Sequence, residues 1–331
     1  MNKEGVWGYP SKATKAKGKK FVNEIKKKML EHVLIRLKRW ENERRYGGPG
    51  PVALREFSTA DIPLGMKLKE LANWNQKEAD WKMLLSASKG GNYVALHNGE
   101  TCGTVTTVNY ESKFSWIGMV LVDPNKRRCG IGTELLTAAI EHAGKSGPVR
   151  LDATPMGKKL YDTLGFKDEY RLTRYQVLGL EDLPKAELKC RKIKKTDLAK
   201  IINFDKTIFG AKRKAILESL LTNASEYAFL YEEGKRIKGF CFGRHGSEFE
   251  QIGPVVAETS EIARSLILHA LKKCIGDDVI IDALDKQSGF NEFIQSLGFS
   301  TQRPFIRMCK GKLKDRGQPA NQFAITGPEL G

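Results

Sequence analysis

Hydrophobic and polar residues alternate along this chain in blocks that predict short strands and amphipathic helices. In "NYVALHNGETCGTVTTVNY" (92–110), two apolar runs flank Asn98-Gly99, which predicts a β-hairpin. "WIGMVLVD" (116–123) predicts a buried strand, and "GTELLTAAIEHAG" (132–144) predicts an amphipathic helix. Antiparallel strands followed by strands that helices separate predict a mixed α/β sheet.

The remaining periodic segments extend this plan and then repeat it. Strands are predicted over 52–57, 149–154 and 170–180, and helices over 59–74, 77–88 and 156–166. "RKIKKTDLA" (191–199) repeats "REFSTADIP" (55–63), and "DALDKQSGFNEFIQSLGF" (282–299) repeats "DATPMGKKLYDTLGF" (152–166). The sequence therefore predicts two copies of one domain, over residues 51–184 and 185–331.

The first 50 residues differ from the rest of the chain in their charge. They contain 14 Lys/Arg and 5 Asp/Glu, so they carry +9 of the net charge of +17. Apolar residues from Phe21 to Trp40 recur at helical spacing, and "YGGPGP" (46–51) is typical of a linker. We expect residues 1–50 to form a basic extension with one amphipathic helix, which either packs on the body of the protein or binds an anionic partner such as RNA.

Composition excludes several classes of protein. The six cysteines include no C-x-x-C pair and the five histidines no H-E-x-x-H motif, so we expect neither a disulfide framework nor a metal site. Reduced thiols fit a cytoplasmic protein. No apolar run approaches the length of a membrane span, and the N-terminus lacks a secretory signal.

The stretch "RRCGIGTELL" (127–136) raises a chemical question, because glycines at 130 and 132 are unfavourable at the start of a helix. A dinucleotide-binding G-x-G-x-x-G motif would need glycine at Leu135, and the P-loop pattern is absent. Two interpretations remain. The segment is either a plain glycine turn with solvated arginines or an anion site, in which unpaired N–H groups at a helix N-terminus bind a phosphate.

The context of this stretch resembles the GNAT (GCN5-related) N-acetyltransferase superfamily. "VLVDPNKRRCGIGTELL" (120–136) matches the family's strand, proline and R/Q-x-x-G-x-G/A order, and "LYDTLGF" (160–166) matches its second signature, an aromatic residue four positions before Gly-Phe. The resemblance covers roughly 52–180, and more loosely 186–310, as in tandem GNAT proteins. It implies two GNAT-like acyl-CoA N-acyltransferase domains, the second of them degenerate.

The resemblance also implies site residues and acetyl-CoA as co-substrate, with no metal. The main chain of Leu121 and Val122 would pair with the pantetheine arm, and Tyr161 would protonate the departing CoA thiolate. Thr154 stands where the family often has an asparagine that contacts pantetheine. The basic glycine turn would bind the pyrophosphate through Arg127, Arg128, Cys129, Gly130, Ile131, Gly132 and Thr133.

The general base and the acceptor site are less well marked. Asp152, at a strand end, is a candidate base, acting directly or through water. The alternative, which a strand-end carboxylate favours, is a structural hydrogen-bonded group. Trp74, Asn75 and Gln76 form a loop that would offer an aromatic wall and polar groups to an acceptor. The alternative is that they serve packing alone.

The second copy departs from the pattern at the cofactor positions. Ala263 and Ser265 align with Gly130 and Gly132, and Ile294 aligns with Tyr161. Glu258 and Glu261 flank the turn, where they would repel an anion. We therefore expect this half to bind no CoA and to complete the acceptor cleft of the first half.

Together these features predict an acetyl-CoA-dependent N-acetyltransferase that transfers an acetyl group to a primary amine by direct attack on the thioester. The acceptor would be a small molecule or a peptide amine. The alternative is a catalytically inactive GNAT scaffold that binds RNA or another anionic partner through its basic extension.

Overall fold

The computed structural model describes residues 52–331, together with Lys26 and Leu30. The predicted linker and most of the helix expected before it therefore lie outside the described residues. The expectation that the basic extension binds an anionic partner also falls on residues outside the described part. Of the described residues, 52–127 and 131–331 belong to one compact unit. This unit contains both predicted copies.

The first copy contains the elements that the periodicity predicts. Asn98 (φ 54°) and Gly99 (φ 80°) both have positive φ, as a two-residue type I′ hairpin turn requires, so the predicted hairpin is confirmed. The strands are β1 (Val52–Glu56), β2 (Tyr93–His97), β3 (Glu100–Tyr110), β4 (Phe114–Val122), β5 (Val149–Ala153) and β6 (Lys167–Val177). The helices are α1 (Ile62–Leu71), α2 (Glu78–Ala87), α3 (Ile131–Gly144) and α4 (Pro155–Thr163).

The second copy repeats this order and adds a short final strand. Its strands are β7 (Arg191–Lys192), β8 (Phe229–Glu233), β9 (Arg236–Arg244), β10 (Glu250–Ala257), β11 (Val279–Leu284), β12 (Ser300–Lys310) and β13 (Gln322–Ala324). Its helices are α5 (Leu198–Phe209), α6 (Lys214–Asn223), α7 (Ser260–Leu271) and α8 (Ser288–Ser296). Short 3-10 turns occur at Thr59–Asp61, Pro124–Lys126, Lys195–Asp197, Ser225–Tyr227 and Pro319–Asn321.

The repeat extends to individual ion pairs. The Arg55 guanidinium binds the Asp61 carboxylate through two hydrogen bonds of 2.6 and 2.8 Å, just before α1. Arg191 binds Asp197 in the same way, at 2.7 and 3.0 Å, just before α5. The shared six-residue spacing therefore reflects the same local structure in both copies.

The strands of residues 52–331 form one 13-stranded sheet, in which the two copies exchange a strand. The order is β1-β2-β3-β4-β5-β12-β6-β11-β13-β10-β9-β8-β7. Strand β12 of the second copy lies between β5 and β6 of the first, and β6 in turn pairs with β11. Each copy therefore completes the other's half of the sheet: the sixth strand of one copy pairs with the fifth strand of the other, β12 with β5 and β6 with β11.

The copies also share a hydrophobic core. One cluster combines Leu68 and Trp81 of the first copy with Ile201, Leu217 and Leu220 of the second, and helix α2 packs against α6. The domain boundary predicted near residue 185 falls between β6 and β7, outside any helix or strand. The boundary stays a prediction, because strand exchange and this core join the two copies into one unit.

Candidate active site

A fork in the sheet lies at the centre of the first copy. Strand β4 bulges at Met119 (φ 49°), where its register with β3 shifts, and the Thr104 hydroxyl donates a hydrogen bond to the Met119 carbonyl (3.0 Å). In the described residues β4 pairs with β5 at two positions, Ser115 with Val149 and Trp116 with Arg150. Beyond Trp116 the two parallel strands separate, since a bulge bends its strand and ends the pairing.

In the described residues, the fork leaves the facing edges of both strands without a strand partner at their carboxyl ends. Leu121 and Val122 pair with β3 on one edge of β4, and their other edge faces the fork. The Asp152 side chain is fully buried although the residue as a whole is half-buried, so its main chain is what meets solvent. Unpaired peptide groups at such an edge can bind an extended ligand as another strand would.

The basic glycine turn follows β4. The Asp123 carboxylate accepts a hydrogen bond from the Asn125 N–H (2.9 Å) and starts the 3-10 turn that ends before Arg127. Arg128 (φ 68°) and Gly130 (φ 77°) have left-handed backbone, and α3 begins at Ile131. At Gly130 this conformation favours glycine.

Gly132 has a different reason to be glycine. Its φ is unexceptional, and an added Cβ would meet Val122 Cγ2 at 3.7 Å, an ordinary contact. Packing within the protein therefore does not demand glycine there, whereas the approach of a ligand to the backbone would. Of the other turn residues, Ile131 is buried, Arg127 and Arg128 are exposed, and Cys129 and Thr133 are half-buried.

Tyr161 lies on α4, the helix that follows β5. Its ring packs edge-on against Phe166, with centroids 6.0 Å apart, and over Gly157, where an added Cβ would lie 3.0 Å from Cε2 of the ring. No described group is hydrogen-bonded to its hydroxyl, and burial raises the pKa of Tyr161 to about 12. The phenol is thus protonated at neutral pH and has its proton available for donation.

Thr154 starts this helix. Its hydroxyl oxygen accepts a hydrogen bond from the Gly157 N–H (3.2 Å), which caps the helix N-terminus. The hydroxyl proton remains available to a ligand at the fork. The substitution of threonine for the family's asparagine therefore keeps one donor at this position.

Asp152 is engaged by the second copy. Both of its carboxylate oxygens accept hydrogen bonds of 2.8 Å from Arg307 on β12, and the two side chains are 0 and 1% exposed. Burial raises the pKa of Asp152, and the Arg307 charge opposes that rise. With both oxygens occupied and no solvent contact, the geometry favours the structural interpretation of this carboxylate over the role of general base.

The loop predicted to bind the acceptor also contacts the second copy. The Asn75 amide oxygen accepts from the Glu248 and Phe249 N–H groups (both 3.0 Å), and its amide nitrogen donates to the Phe249 carbonyl (2.9 Å). The Gln76 amide donates to the Glu329 carboxylate (3.0 Å). The Asn75 and Gln76 side chains are both buried, so in this conformation they bind the second copy instead of facing a cleft. The half-buried Trp74 side chain packs on the hydrophobic core that the two copies share.

The corresponding fork of the second copy is filled by its own chain. Strand β10 pairs with β11 at Glu250 and Gln251, and the strands then separate as in the first copy. Strand β13 enters the gap, where Ala324 pairs with both Val255 of β10 and Ala283 of β11. An internal strand thus occupies the position that the open fork of the first copy offers to a ligand.

Buried side chains and a capped helix also distinguish the filled fork of the second copy from the fork of the first. Ile294, which aligns with Tyr161, is fully buried in a core that also contains Phe323 of β13. Ahead of α7, the Thr259 hydroxyl accepts a hydrogen bond from the Ile262 N–H (3.3 Å), so the helix N-terminus is capped internally. Both observations support the expectation that the second copy binds no CoA.

Sequence reasoning expected the second copy to complete the acceptor cleft of the first, but it did not identify the second-copy residues that contact the first copy's candidate site residues. Arg307 and Glu329 both reach first-copy residues, yet they lie 155 and 253 positions from their partners Asp152 and Gln76. One signal was available for Arg307, because Arg174 and Arg307 occupy the same position after the "LGF" of each repeat. Nothing in the local sequence marks Glu329.

Comparison with known proteins decides the family. A model of the Acetyltransferase (GNAT) family matches residues 57–166, and a model of the Acetyltransferase (GNAT) domain matches residues 201–324. Between them these matches span most of the chain. This is a tandem GNAT protein. GNAT acyltransferases transfer an acyl group from acyl-CoA to an amine, and acyl transfer is therefore the chemistry that family membership assigns.

Three individual proteins are similar to this chain over most of its length. Holothin acyltransferase of Pseudoalteromonas sp. (strain SANK 73390) is 27% identical over 263 residues, which cover 78% of this GNAT chain and 87% of that protein. A solved structure from Pyrococcus horikoshii has a TM-score of 0.70 at 24% identity, over 85% of this chain and 96% of that one. A tandem GNAT protein from the clavulanic acid biosynthesis pathway has a TM-score of 0.57 at 11% identity, over 79 and 98%. The two structures share the fold.

The described part of this GNAT protein offers neither a cluster of metal ligands nor a membrane-spanning helix. Residues 52–331 contain no group of three or more His, Cys, Asp or Glu side chains placed to hold a metal ion. No described helix is long and apolar enough to cross a membrane.

Proposed function

We propose that this tandem GNAT protein transfers an acetyl group from acetyl-CoA to a primary amine, and that the first copy carries out the reaction. The observation that carries the proposal is the open fork between β4 and β5, against the filled fork of the second copy. The pantetheine arm would pair with Leu121 and Val122, and the pyrophosphate would bind the turn from Arg127 to Thr133. The proposal includes a cytoplasmic protein, in keeping with the buried thiols of Cys190, Cys241, Cys274 and Cys309.

The pKa values of the acceptor amine and the leaving thiol show which proton transfer of the reaction is more costly. An amine with a pKa near 10.4 must lose a proton before it attacks, which costs roughly 4.6 kcal/mol at pH 7. The neutral nitrogen then attacks the thioester carbon, the C–S bond breaks, and the thiolate leaves with a thiol-like pKa of about 8.5. The nitrogen loses its second proton as the amide forms, and that proton reaches the thiolate through solvent. Deprotonation of the amine is therefore the more demanding proton transfer.

Tyr161 supports the departure of the thiolate. A phenol with a pKa of about 12 stays protonated throughout the working range, but full proton transfer from it to a free thiolate is uphill. Its main contribution is a hydrogen bond to the negative charge that develops on sulfur, and the phenol keeps its proton at the end of the step. We expect an effect at the lower end of the ~100- to 10,000-fold usual for acid–base catalysis.

The first measurement is a calorimetric titration of acetyl-CoA into the full-length chain. One site per chain is the expected result; two equivalent sites would show that the second copy binds CoA, and no binding would favour the non-catalytic scaffold.

Tyr161→Phe should reduce single-turnover acetylation about 100-fold and leave acetyl-CoA affinity unchanged. Because Tyr161 titrates only near pH 12, wild-type turnover should show no alkaline decline from this group below about pH 11. An undiminished single-turnover rate in the phenylalanine variant would exclude the acid role.

A further inference from the structure

Each fork of the sheet carries the same buried ion pair, formed between the two copies. Arg307 of β12 binds Asp152 of β5 through two hydrogen bonds of 2.8 Å. Arg174 of β6 binds Asp282 of β11 through two hydrogen bonds of 2.7 Å. In both pairs the aspartate belongs to one copy and the arginine to the strand exchanged from the other.

The position of each pair relative to its fork is the same. Asp152 lies two residues beyond Arg150, the last β5 residue that pairs with β4. Asp282 likewise lies two residues beyond Ile280, the last β11 residue that pairs in parallel with β10. At each fork, the arginine therefore lies on the strand that flanks the fork's fifth strand, β5 or β11, on the side away from the gap. It binds that fifth strand where the two arms of the fork begin to separate.

The surroundings of Arg307 connect both arms of the first fork. Its guanidinium lies 4.5 Å from the centroid of the Trp116 ring, and Trp116 is the last residue of β4 that pairs with β5. It also donates a hydrogen bond of 2.6 Å to the Tyr170 hydroxyl on β6. A planar guanidinium can make such directional contacts at once, because its donors lie in a fixed fork and its face stacks on aromatic rings.

Helix α4 depends on the strand that this pair holds. Asp152 precedes Thr154, the cap of α4, by two residues, and Tyr161 lies two turns further along the helix. No residue of α4 is fully buried, and its packing partners are β5 and β12. The end of β5 and the exchanged strand therefore set where the helix lies.

We propose that Arg307, supplied by the degenerate second copy, is a positioning residue for acyl-CoA in the first copy. By binding both oxygens of Asp152 it holds the end of β5 on β12, which keeps the fork open and orients Thr154 and Tyr161. The inference rests on the proposed function of that fork. It also explains why a copy without a cofactor cleft of its own is part of the active unit.

The symmetry of the molecule supplies a matched control. Asp152→Leu with Arg307→Met removes the pair at the open fork, and Asp282→Leu with Arg174→Met removes its counterpart at the filled fork. Apolar replacement of both partners leaves no unpaired buried charge, so such variants commonly fold. Both should show melting temperatures close to each other, and acetyl-CoA affinity is then measured by calorimetry.

The expected result is asymmetric. The Asp152/Arg307 variant should bind acetyl-CoA about 10-fold more weakly, as expected if one or two hydrogen bonds worth about 1 kcal/mol each are lost at a displaced fork. The Asp282/Arg174 variant should bind within about twofold of wild type. Arg307→Lys, which keeps the charge but loses the planar fork, should fold and show a smaller loss in the same direction; it replaces the double variant if that variant is insoluble.

Equal affinities in the two double variants would overturn the positioning role. A wild-type single-turnover rate in the Asp152/Arg307 variant at saturating acetyl-CoA would also overturn it, because Tyr161 would then be oriented without the ion pair. Wild-type protein that binds no acetyl-CoA would refute the proposed function itself, an outcome separate from either of these.

Discussion

Gly157 offers a test in which stability and catalysis should change in opposite directions. It lies in the first turn of α4 without a positive φ, so alanine is compatible with its backbone. An added Cβ would lie 3.0 Å from Tyr161 Cε2 and 3.6 Å from Cζ. Ordinary Cβ contacts begin near 3.4 Å, so the Tyr161 ring must move by about 0.4 Å.

The two effects have different magnitudes and different origins. Replacing glycine by alanine in a helix stabilises the folded state by about 0.5–1 kcal/mol, because the unfolded chain loses conformational freedom. A misplacement of 1 Å at a reacting group can cost ~100-fold in rate, so about 0.4 Å corresponds to roughly 3- to 10-fold. We therefore expect Gly157→Ala to unfold at higher urea concentration and to acetylate more slowly.

The measurements are urea denaturation and single-turnover acetylation, since single turnover reports the chemical step. Gly289→Ala is the matched control. It lies in the first turn of α8, the equivalent helix of the second copy, and an added Cβ there meets nothing within 4 Å. This variant should gain similar stability and keep the wild-type rate.

The reasoning would be refuted if Gly157→Ala reacted at the wild-type rate, because the position of the Tyr161 ring would then be irrelevant to catalysis. A loss of stability in Gly157→Ala, with a gain in Gly289→Ala, would show instead that the ring cannot move and that the contact strains the helix.

Two further predictions concern the second copy and the repeated ion pairs. Phe323→Ala removes a buried ring that packs on Phe290 in the filled fork, with ring centroids 5.4 Å apart. We expect urea denaturation to show a loss of about 3–5 kcal/mol in the free energy of unfolding, and calorimetry still to find one acetyl-CoA site. A second site would show that the Phe323 side chain alone blocks binding. Asp61, whose pKa the Arg55 guanidinium lowers to about 2 from 3.8, contributes stability that is present above pH 4 and is lost as the pH falls toward 2. Unfolding free energy should therefore fall less steeply with acidification in Asp61→Asn than in wild type, and parallel curves would contradict the assigned pKa.

The elements of both copies follow from local sequence. Asn98-Gly99 specifies its hairpin because both residues tolerate the left-handed backbone that a type I′ turn needs. The spacing of Arg55 to Asp61 and of Arg191 to Asp197 identifies the repeat because each pair closes the same local structure. The basic turn before α3 could be located for a similar reason, since its glycines lie next to each other in the chain.

Roles that depend on distant partners could not be assigned in this way. A carboxylate at a strand end, such as Asp152, is compatible with a base or with half of an ion pair until its partner is known, and Arg307 is 155 positions away. Asn75 and Gln76 resemble acceptor-binding residues in sequence, but the Asn75 amide binds the loop at 247–249 and the Gln76 amide nitrogen binds Glu329.

The sequence by itself determined the repeat, the strands and helices of each copy, the glycine turn and the family resemblance, because these depend on residues that are neighbours in the chain. Only the tertiary structure decided which fork is open. Strand pairing joins residues through hydrogen bonds that local patterns do not encode, so neither the exchange of β6 and β12 nor the entry of β13 between β10 and β11 could be predicted from periodicity.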